Sequence, residues 1–132
     1  MPLEVLALDF FTNTLSASMT KALDGLWTRQ EAISDNIANF ETPGYKRKVV
    51  SFEDQLELAI NDNDSKKDRV EDIRNTHAMT KEEFNEQYRM DGNGVDLEEE
   101  NVEMARTTYQ YMYAQRILGD HYKRIQSALN LD

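Results

Sequence analysis

Apolar residues recur at helical spacing towards both ends of the chain, and the pattern lapses between them. From Asn13 to Asn39, residues Leu15, Met19, Ala22, Leu26, Ile33 and Ile37 are separated by steps of three, four or their sum, and Leu23 and Trp27 widen the stripe. This periodicity predicts an amphipathic helix of about seven turns. Its seam has one polar interruption, at Arg29 or Gln30. Gly25 lies inside the pattern, costs up to about 1 kcal/mol of helix propensity and reads as a tolerated surface glycine in preference to a point of close approach by another helix. A second long pattern follows two turn dipeptides, Asp91-Gly92 and Asn93-Gly94. Asp96 is placed as its N-cap, with Glu99 three residues on, and Glu98-Glu99-Glu100 occupy the first turn, where the helix dipole favours negative charge. Val102, Ala105, Tyr109, Met112, Leu118, Tyr122, Ile125 and Leu129 then continue the stripe. Near Arg116 and Gly119 this seam slips by one position, which alters local supercoiling. At 1.5 Å per residue the helix spans about 50 Å.

The first helix must stop near Thr42. A proline ring disfavours the α region for the residue before it, so the helix ends at or before Thr42. Pro43-Gly44 then supplies the two conformations of a type II turn, φ near −65° and φ > 0. Tyr45 follows, placed to pack on whatever the turn folds against. Lys48-Val49-Val50 reads as a short extended piece. Ser51 is a candidate cap for a short helix, with Asp54 at the reciprocal position and Phe52, Leu56 and Ile60 on one face. Residues 61–75 break the pattern, and the polar run from Asn61 to Asp68 reads as a mobile loop. A further short helix is predicted from Lys81 to Arg89, with Thr80 and Glu83 as a capping box and Phe84 and Tyr88 sharing a face.

The expected fold is therefore mainly α. It is a single elongated domain over 1–132, with an N-terminal helical region (1–39), a variable middle carrying the Pro-Gly elbow (40–94) and a C-terminal helix (95–132). The two long terminal helices are expected to form a coiled-coil-like pair around a middle of short extended, loop and short-helix segments. One such pair leaves much of both stripes wet, and oligomerisation is the natural remedy.

Composition narrows the function. Of 132 residues, 39% are hydrophobic and 30% charged, so the chain is elongated, partly unfolded alone, or dependent on neighbours to bury its stripes. The net charge of −10 disfavours phosphate-backbone binding, and Lys46-Arg47-Lys48 is the only basic run, so no nucleic-acid partner is expected. There is no cysteine, which excludes disulfides, thiol catalysis and cysteine-based zinc sites. No apolar run approaches the roughly 20 residues of a membrane span. The N-terminal run from Pro2 to Phe11 carries Glu4 and Asp9 without a basic segment or a small-residue cleavage site, so no cleaved secretory signal is expected.

Catalytic chemistry finds no foothold. His77 and His121 lie in different elements without partners at ligand spacing, so no metal site is expected. The acidic run from Glu98 to Glu103 is accounted for by capping and the dipole. The segment from Asp91 fails as a calcium loop, because Val95, Asp96 and Val102 stand where a ligand, a glycine and a bidentate glutamate are required. No glycine-rich phosphate loop or nucleophile motif is present. Tyr109, Tyr111, Tyr113 and Tyr122 read as packing residues for neighbouring subunits. No cofactor or small-molecule substrate is expected, and the remaining class is a structural or interaction protein. On the residues alone, a helical adaptor or chaperone-like hairpin binding a partner's amphipathic helix stays open beside a self-assembling subunit.

Asn36-Ile37-Ala38-Asn39, followed by Thr42-Pro43-Gly44-Tyr45-Lys46, resembles the N-terminal signature of the bacterial flagellar rod and hook family of axial proteins. Asn93-Gly94-Val95-Asp96-Leu97-Glu98, then Glu103-Met104-Ala105 and Tyr109-Gln110-Tyr111, is similar to the C-terminal signature of the family's proximal-rod members. The two regions, Leu26–Arg47 and Val95–Leu129, cover a little under half the chain. Phe40-Glu41 departs from the family, which commonly has small or polar residues before Thr-Pro-Gly-Tyr. The short length, without a large inserted domain, fits the proximal rod. The resemblance implies a non-enzymatic subunit of the flagellar basal body that crosses the type III export apparatus without a cleaved signal. It would assemble with copies of itself, other rod proteins, and membrane-ring or export-gate adaptor proteins in the periplasm-spanning rod. Its terminal helices would be poorly ordered before assembly. Early substrates of that pathway carry a short Phe-x-x-x-apolar recognition element. Phe52 to Leu56 fits it, as do Phe11 to Leu15 and Phe84 to Tyr88.

Overall fold

Two long helices frame the chain, and short elements between them pack against the first. The computed structural model describes residues 3–61, 66–83 and 90–129, with side chains from residue 12 in the first segment and from residue 69 in the second. The elements in order are α1 (Leu3–Ala38), β1 (Lys48–Ser51), α2 (Glu53–Asn61), α3 (Lys66–Asn75), β2 (Met79–Glu82) and α4 (Leu97–Leu129). Helix α1 opens at Leu3 rather than near Asn13, carrying helical geometry through the apolar N-terminal run. It ends at Ala38, before the Thr42-Pro43 barrier, as the proline rule requires.

Helices α1 and α4 pair antiparallel. The contacts Asn36–Glu100, Gln30–Thr108 and Ser16–Tyr122 advance in opposite directions along the two helices. Helix α1 also carries the small core, which reaches α4 through Ala114. Leu26, Ala32, Val50, Phe52, Leu56 and Ile73 are buried together, with Ala22, Leu23, Ala59, Ile60, Val70 and Ala78 packed around them. Ile73 of α3 is fully buried.

Helix α3 was not expected. Its sequence is almost wholly charged, and only Val70 and Ile73 show a helical face. Two apolar residues three apart are too little signal against a polar background, but they suffice to seat the helix on α1. The polar run from Asn61 read as a loop thus ends at Lys66, and residues 62–65 lie outside the described residues. Ser51 closes β1, and α2 begins at Glu53, so Ser51 is a strand residue and not the expected cap. Met79–Glu82 form β2, antiparallel to β1 in the register Lys48↔Glu82 and Val50↔Thr80. Thr80 and Lys81 are therefore strand residues and not the start of a helix; Phe84 to Arg89 lie outside the described residues. Val49-Val50 selects an extended partner for this segment through cross-strand pairing, which local capping statistics do not register. The expectation of unordered termini bears in part on residues 1–2 and 130–132, also outside the described residues.

Gly25 is buried, not a surface glycine. A Cβ there would overlap the ring of Phe52, a residue at the junction between β1 and α2. The close neighbour is thus an aromatic side chain from the middle of the chain. Gly25→Ala should lower the unfolding free energy by about 2 kcal/mol despite alanine's better helix propensity, because the added methyl overpacks the ring. Urea unfolding checks this; a variant as stable as the parent would mean that the ring swings clear at no cost.

Candidate functional site

The elbow is held by a buried polar network that joins α1, β1 and the first turn of α4. Asn36 is fully buried in the last turn of α1. Its Nδ2 donates to the Lys48 carbonyl at 2.9 Å and to Glu100 Oε2 at 3.0 Å, and its Oδ1 accepts from the Lys48 amide at 2.8 Å and the Tyr45 hydroxyl at 3.3 Å. The side-chain amide thereby behaves as a strand neighbour for β1, satisfying an edge that β2 does not reach. Glu100, also fully buried, receives Arg47 Nε on Oε1 at 2.5 Å. The same guanidinium meets Glu83 at 2.8 Å and Glu99 at 3.2 Å. Burial works against the Arg47 charge, but the hydrogen bonds it donates to Glu100 and Glu83 outweigh this and hold its pKa above the ordinary value. Burial also pushes the Tyr45 hydroxyl upward.

Below this network two turns clasp each other. The Tyr45 amide donates to the Thr42 carbonyl at 3.2 Å, and Gly44 has φ of 71°, so Thr42-Pro43-Gly44-Tyr45 closes the turn expected of Pro-Gly. The Gly44 amide donates to the Asp91 carbonyl and the Gly94 amide to the Tyr45 carbonyl, both at 3.0 Å. Gly92, with φ of 74°, faces Gly44 across the clasp, where a Cβ would make ordinary van der Waals contact with Gly44 Cα at 3.6 Å. Asn93 fills the space between: Nδ2 donates to the carbonyls of Asn39 at 2.9 Å and Thr42 at 2.7 Å, and Oδ1 accepts from the Val95 amide at 2.8 Å. Both carbonyls already accept a backbone amide, Asn39 from Thr42 at 2.9 Å and Thr42 from Tyr45, so Asn93 adds a second donor to each from the far end of the middle segment. Asp96 then caps α4, accepting from the amides of Glu98 and Glu99 at 2.9 and 3.2 Å.

Arg29 and Gln30 explain the polar break in the α1 stripe. Arg29 donates to the Val50 carbonyl at 3.0 Å, pairs with Glu53 at 2.6 Å and lies 4.9 Å over the Phe52 ring. Gln30 donates to the Thr108 hydroxyl at 3.1 Å across the helix pair. The Glu53 carboxyl is raised by burial but lowered by more through Arg29 and backbone amides, so it sits below its ordinary value.

Helix α4 has two faces. The positions turned to α1 are Glu100, Met104, Thr107, Tyr111, Ala114, Leu118, His121 and Ile125, a heptad pattern in alternating steps of four and three, all buried or half-buried. The seam is partly polar: the Thr107 hydroxyl and His121 Nε2 are buried without a hydrogen-bond partner. The first half of the expected stripe lies on the opposite face. Val102, Ala105, Tyr109 and Met112 are exposed, Tyr109 by 73%, with Tyr113 beside them. The apparent slip near Arg116 is the point where the apolar pattern crosses from the outer face to the inner one at Leu118 and Ile125.

The structure gathers Asn36, Ile37, Ala38, Asn39, Thr42, Pro43, Gly44, Tyr45, Val95 and Asp96 at one end of the helix pair. Lys46 lies beside them, paired with Glu82 at 3.6 Å. Glu103 and Met104 are half-buried a turn further along α4, and Ala105 and Tyr109 face outward. Phe52 and Leu56 are buried in the core, away from the surface. Sequence reasoning missed Arg47, Glu100 and Asn93. In the sequence Glu100 reads as one more acid of the first turn; its only distinguishing signal is that it starts the inward heptad. Among the described residues, no group of three or more acidic or histidine side chains is placed to hold a metal ion.

Asn36→Asp should destabilise the fold by about 3 kcal/mol, because a nearly isosteric carboxylate would face the Glu100 carboxylate and the Lys48 carbonyl with no hydrogen to donate. Urea unfolding at neutral pH reads this, and a loss under about 0.5 kcal/mol would remove the network from its central place. For Glu53 the folded pKa is the lower one. Its contribution is therefore present above the ordinary carboxylate value and disappears as pH falls through the folded value. With the carboxyl half-exposed, the parent should exceed Glu53→Gln by about 0.5 kcal/mol at neutral pH and by nothing in acid, as urea midpoints across pH would show.

A protein-family model described as flagella basal body rod protein matches residues 20–46, the second half of α1 and the elbow. The flagellar basal body rod protein FlgB of Borrelia hermsii is 30% identical over 119 residues, spanning 78% of this chain and 86% of the relative. FlgB of Bacillus subtilis is 26% identical over 135 residues, spanning 92% and 97%. FlgB of Escherichia coli is 28% identical over 116 residues, spanning 76% and 82%. With the first of these relatives aligned over 86% of its own length, the chain belongs to the flagellar basal body rod proteins of the FlgB type.

Proposed function

We propose that the chain is a non-catalytic structural subunit of the proximal part of the flagellar rod. The observation that carries this reading is the uncovered apolar face of α4, from Val102 through Met112, on a helix already paired on its other side. A helix with two such faces is suited to stand between two neighbours. Repeated head-to-tail, that contact is heterologous and builds a tube, not a closed pair. The partners are copies of the chain, other rod proteins and adaptor proteins at the membrane ring or export gate. The clasped elbow sets the angle between the helix pair and the middle segment and so transmits torque between them.

Export through the flagellar type III pathway, without a cleaved signal, delivers the subunit to the periplasm-spanning rod. Phe52 and Leu56 serve there as the recognition element. Their burial in the folded core supports recognition of a chain that has not yet folded.

A strain lacking the protein should show basal-body rings without a rod by electron microscopy, and complete rods would overturn the proposal. Tyr109→Asp with Met112→Asp should leave monomer stability within about 0.5 kcal/mol, since both sites are exposed, yet abolish assembly and motility. Pro43→Ala and Gly44→Val should impair both while leaving monomer solubility nearly unchanged.

A further inference from the structure

Asn93-Gly94 is the only asparagine–glycine dipeptide in the chain. In an extended chain this pair is chemically labile, because glycine has no Cβ to keep the next backbone nitrogen from the asparagine side-chain carbon. In the folded protein Asn93 is 1% exposed, and each reacting group is already engaged. The Gly94 nitrogen, the nucleophile, donates its hydrogen to the Tyr45 carbonyl at 3.0 Å. A carbonyl is no base for removing it. The Asn93 Nδ2, the leaving group, donates to the Asn39 and Thr42 carbonyls, and neither offers the proton that ammonia needs to depart. Oδ1 is fixed by the Val95 amide.

We propose that Asn93 is a self-modification site gated by the elbow, inert while the two turns are clasped and deamidating when they open. The backbone nitrogen of Gly94 bonds to the Asn93 side-chain carbon, the bond to Nδ2 breaks, and ammonia leaves with the displaced proton. Water then opens the cyclic imide at either carbonyl, giving an aspartate or an isoaspartyl linkage at position 93. No oxidant or reductant takes part. Either product prevents closure. A carboxylate in place of the amide has no hydrogen for the carbonyls of Asn39 and Thr42 and repels both. An isoaspartyl linkage adds a methylene to the backbone between positions 93 and 94, displacing the Gly94 amide from the Tyr45 carbonyl that it meets at 3.0 Å. A chain left open too long is thus chemically withdrawn from the folded pool, an irreversible loss drawn from the unfolded state. This inference stands on the elbow geometry and does not depend on rod assembly.

The test is incubation of the full chain at mildly alkaline pH, native and in urea, followed by peptide mapping that distinguishes asparagine, aspartate and isoaspartate at position 93. Conversion in urea should exceed native conversion by at least about a hundredfold, since a gated reaction follows the population of the opened form. Aged material is then refolded and the folded monomer isolated by size exclusion; it should be depleted of modified position 93 relative to the starting mixture. Gly94→Ala should slow the reaction in urea, where folding plays no part. Equal native and urea rates, or a folded fraction as modified as the input, would overturn the proposal.

Discussion

The Glu100 carboxylate is buried in the first turn of α4, and a buried charge has few places to go. It must be met by hydrogen-bond donors, and the two it has, Arg47 Nε and Asn36 Nδ2, come from opposite sides of the elbow. Removing either would leave a desolvated acceptor, so α1, β1 and α4 are bound to a single mutual register. Arg47 extends the constraint to Glu83, just past the second strand, and Asn36 extends it to the backbone of the first. A satisfied polar network of this kind contributes uniqueness more than net stability. Sliding one helix along the other by a turn would strand the carboxylate.

The clasp beneath the network solves a different problem. The turns after α1 are local structures, their Asn39 and Thr42 carbonyls already accepting the Thr42 and Tyr45 amides, and nothing in them alone ties them to the start of α4. Asn93 makes that tie, adding a second donor to each carbonyl from more than fifty residues away in sequence. Two left-handed glycines allow the turns to approach closely enough for this exchange. The middle segment therefore leaves and rejoins the helix pair at one rigid point, and Phe52 on Gly25 anchors it a second time further up α1.

Away from the elbow the character of the helix pair changes. Its inward seam mixes Ala114 and Leu118 with Thr107 and His121, and the outer face of α4 keeps Val102, Tyr109 and Met112 in solvent. A firmly latched base with apolar surface left over further along is the arrangement expected of a subunit whose long helices have neighbours still to meet. It matches the family that the relatives define.

The long helices, the stop at Thr42, the Pro-Gly turn, the Asp96 cap and the extended piece at Val49-Val50 were legible in the residues. Each follows from local sterics, capping or periodicity, which act over a few positions. Helix α3, strand β2, the packing at Gly25 and the role of Glu100 were not. Each depends on what a distant segment presents: α1 for Ile73, β1 for Thr80, Phe52 for Gly25, Arg47 for Glu100. The face of α4 that pairs within the chain was also hidden, because periodicity reports which residues avoid water and not which partner covers them. Sequence alone therefore determined where the chain is helical, where it must turn and that it has apolar surface to share. The tertiary structure decided which of those surfaces closes inside the protomer, because a buried carboxylate and its donors admit only one way of bringing the helices together.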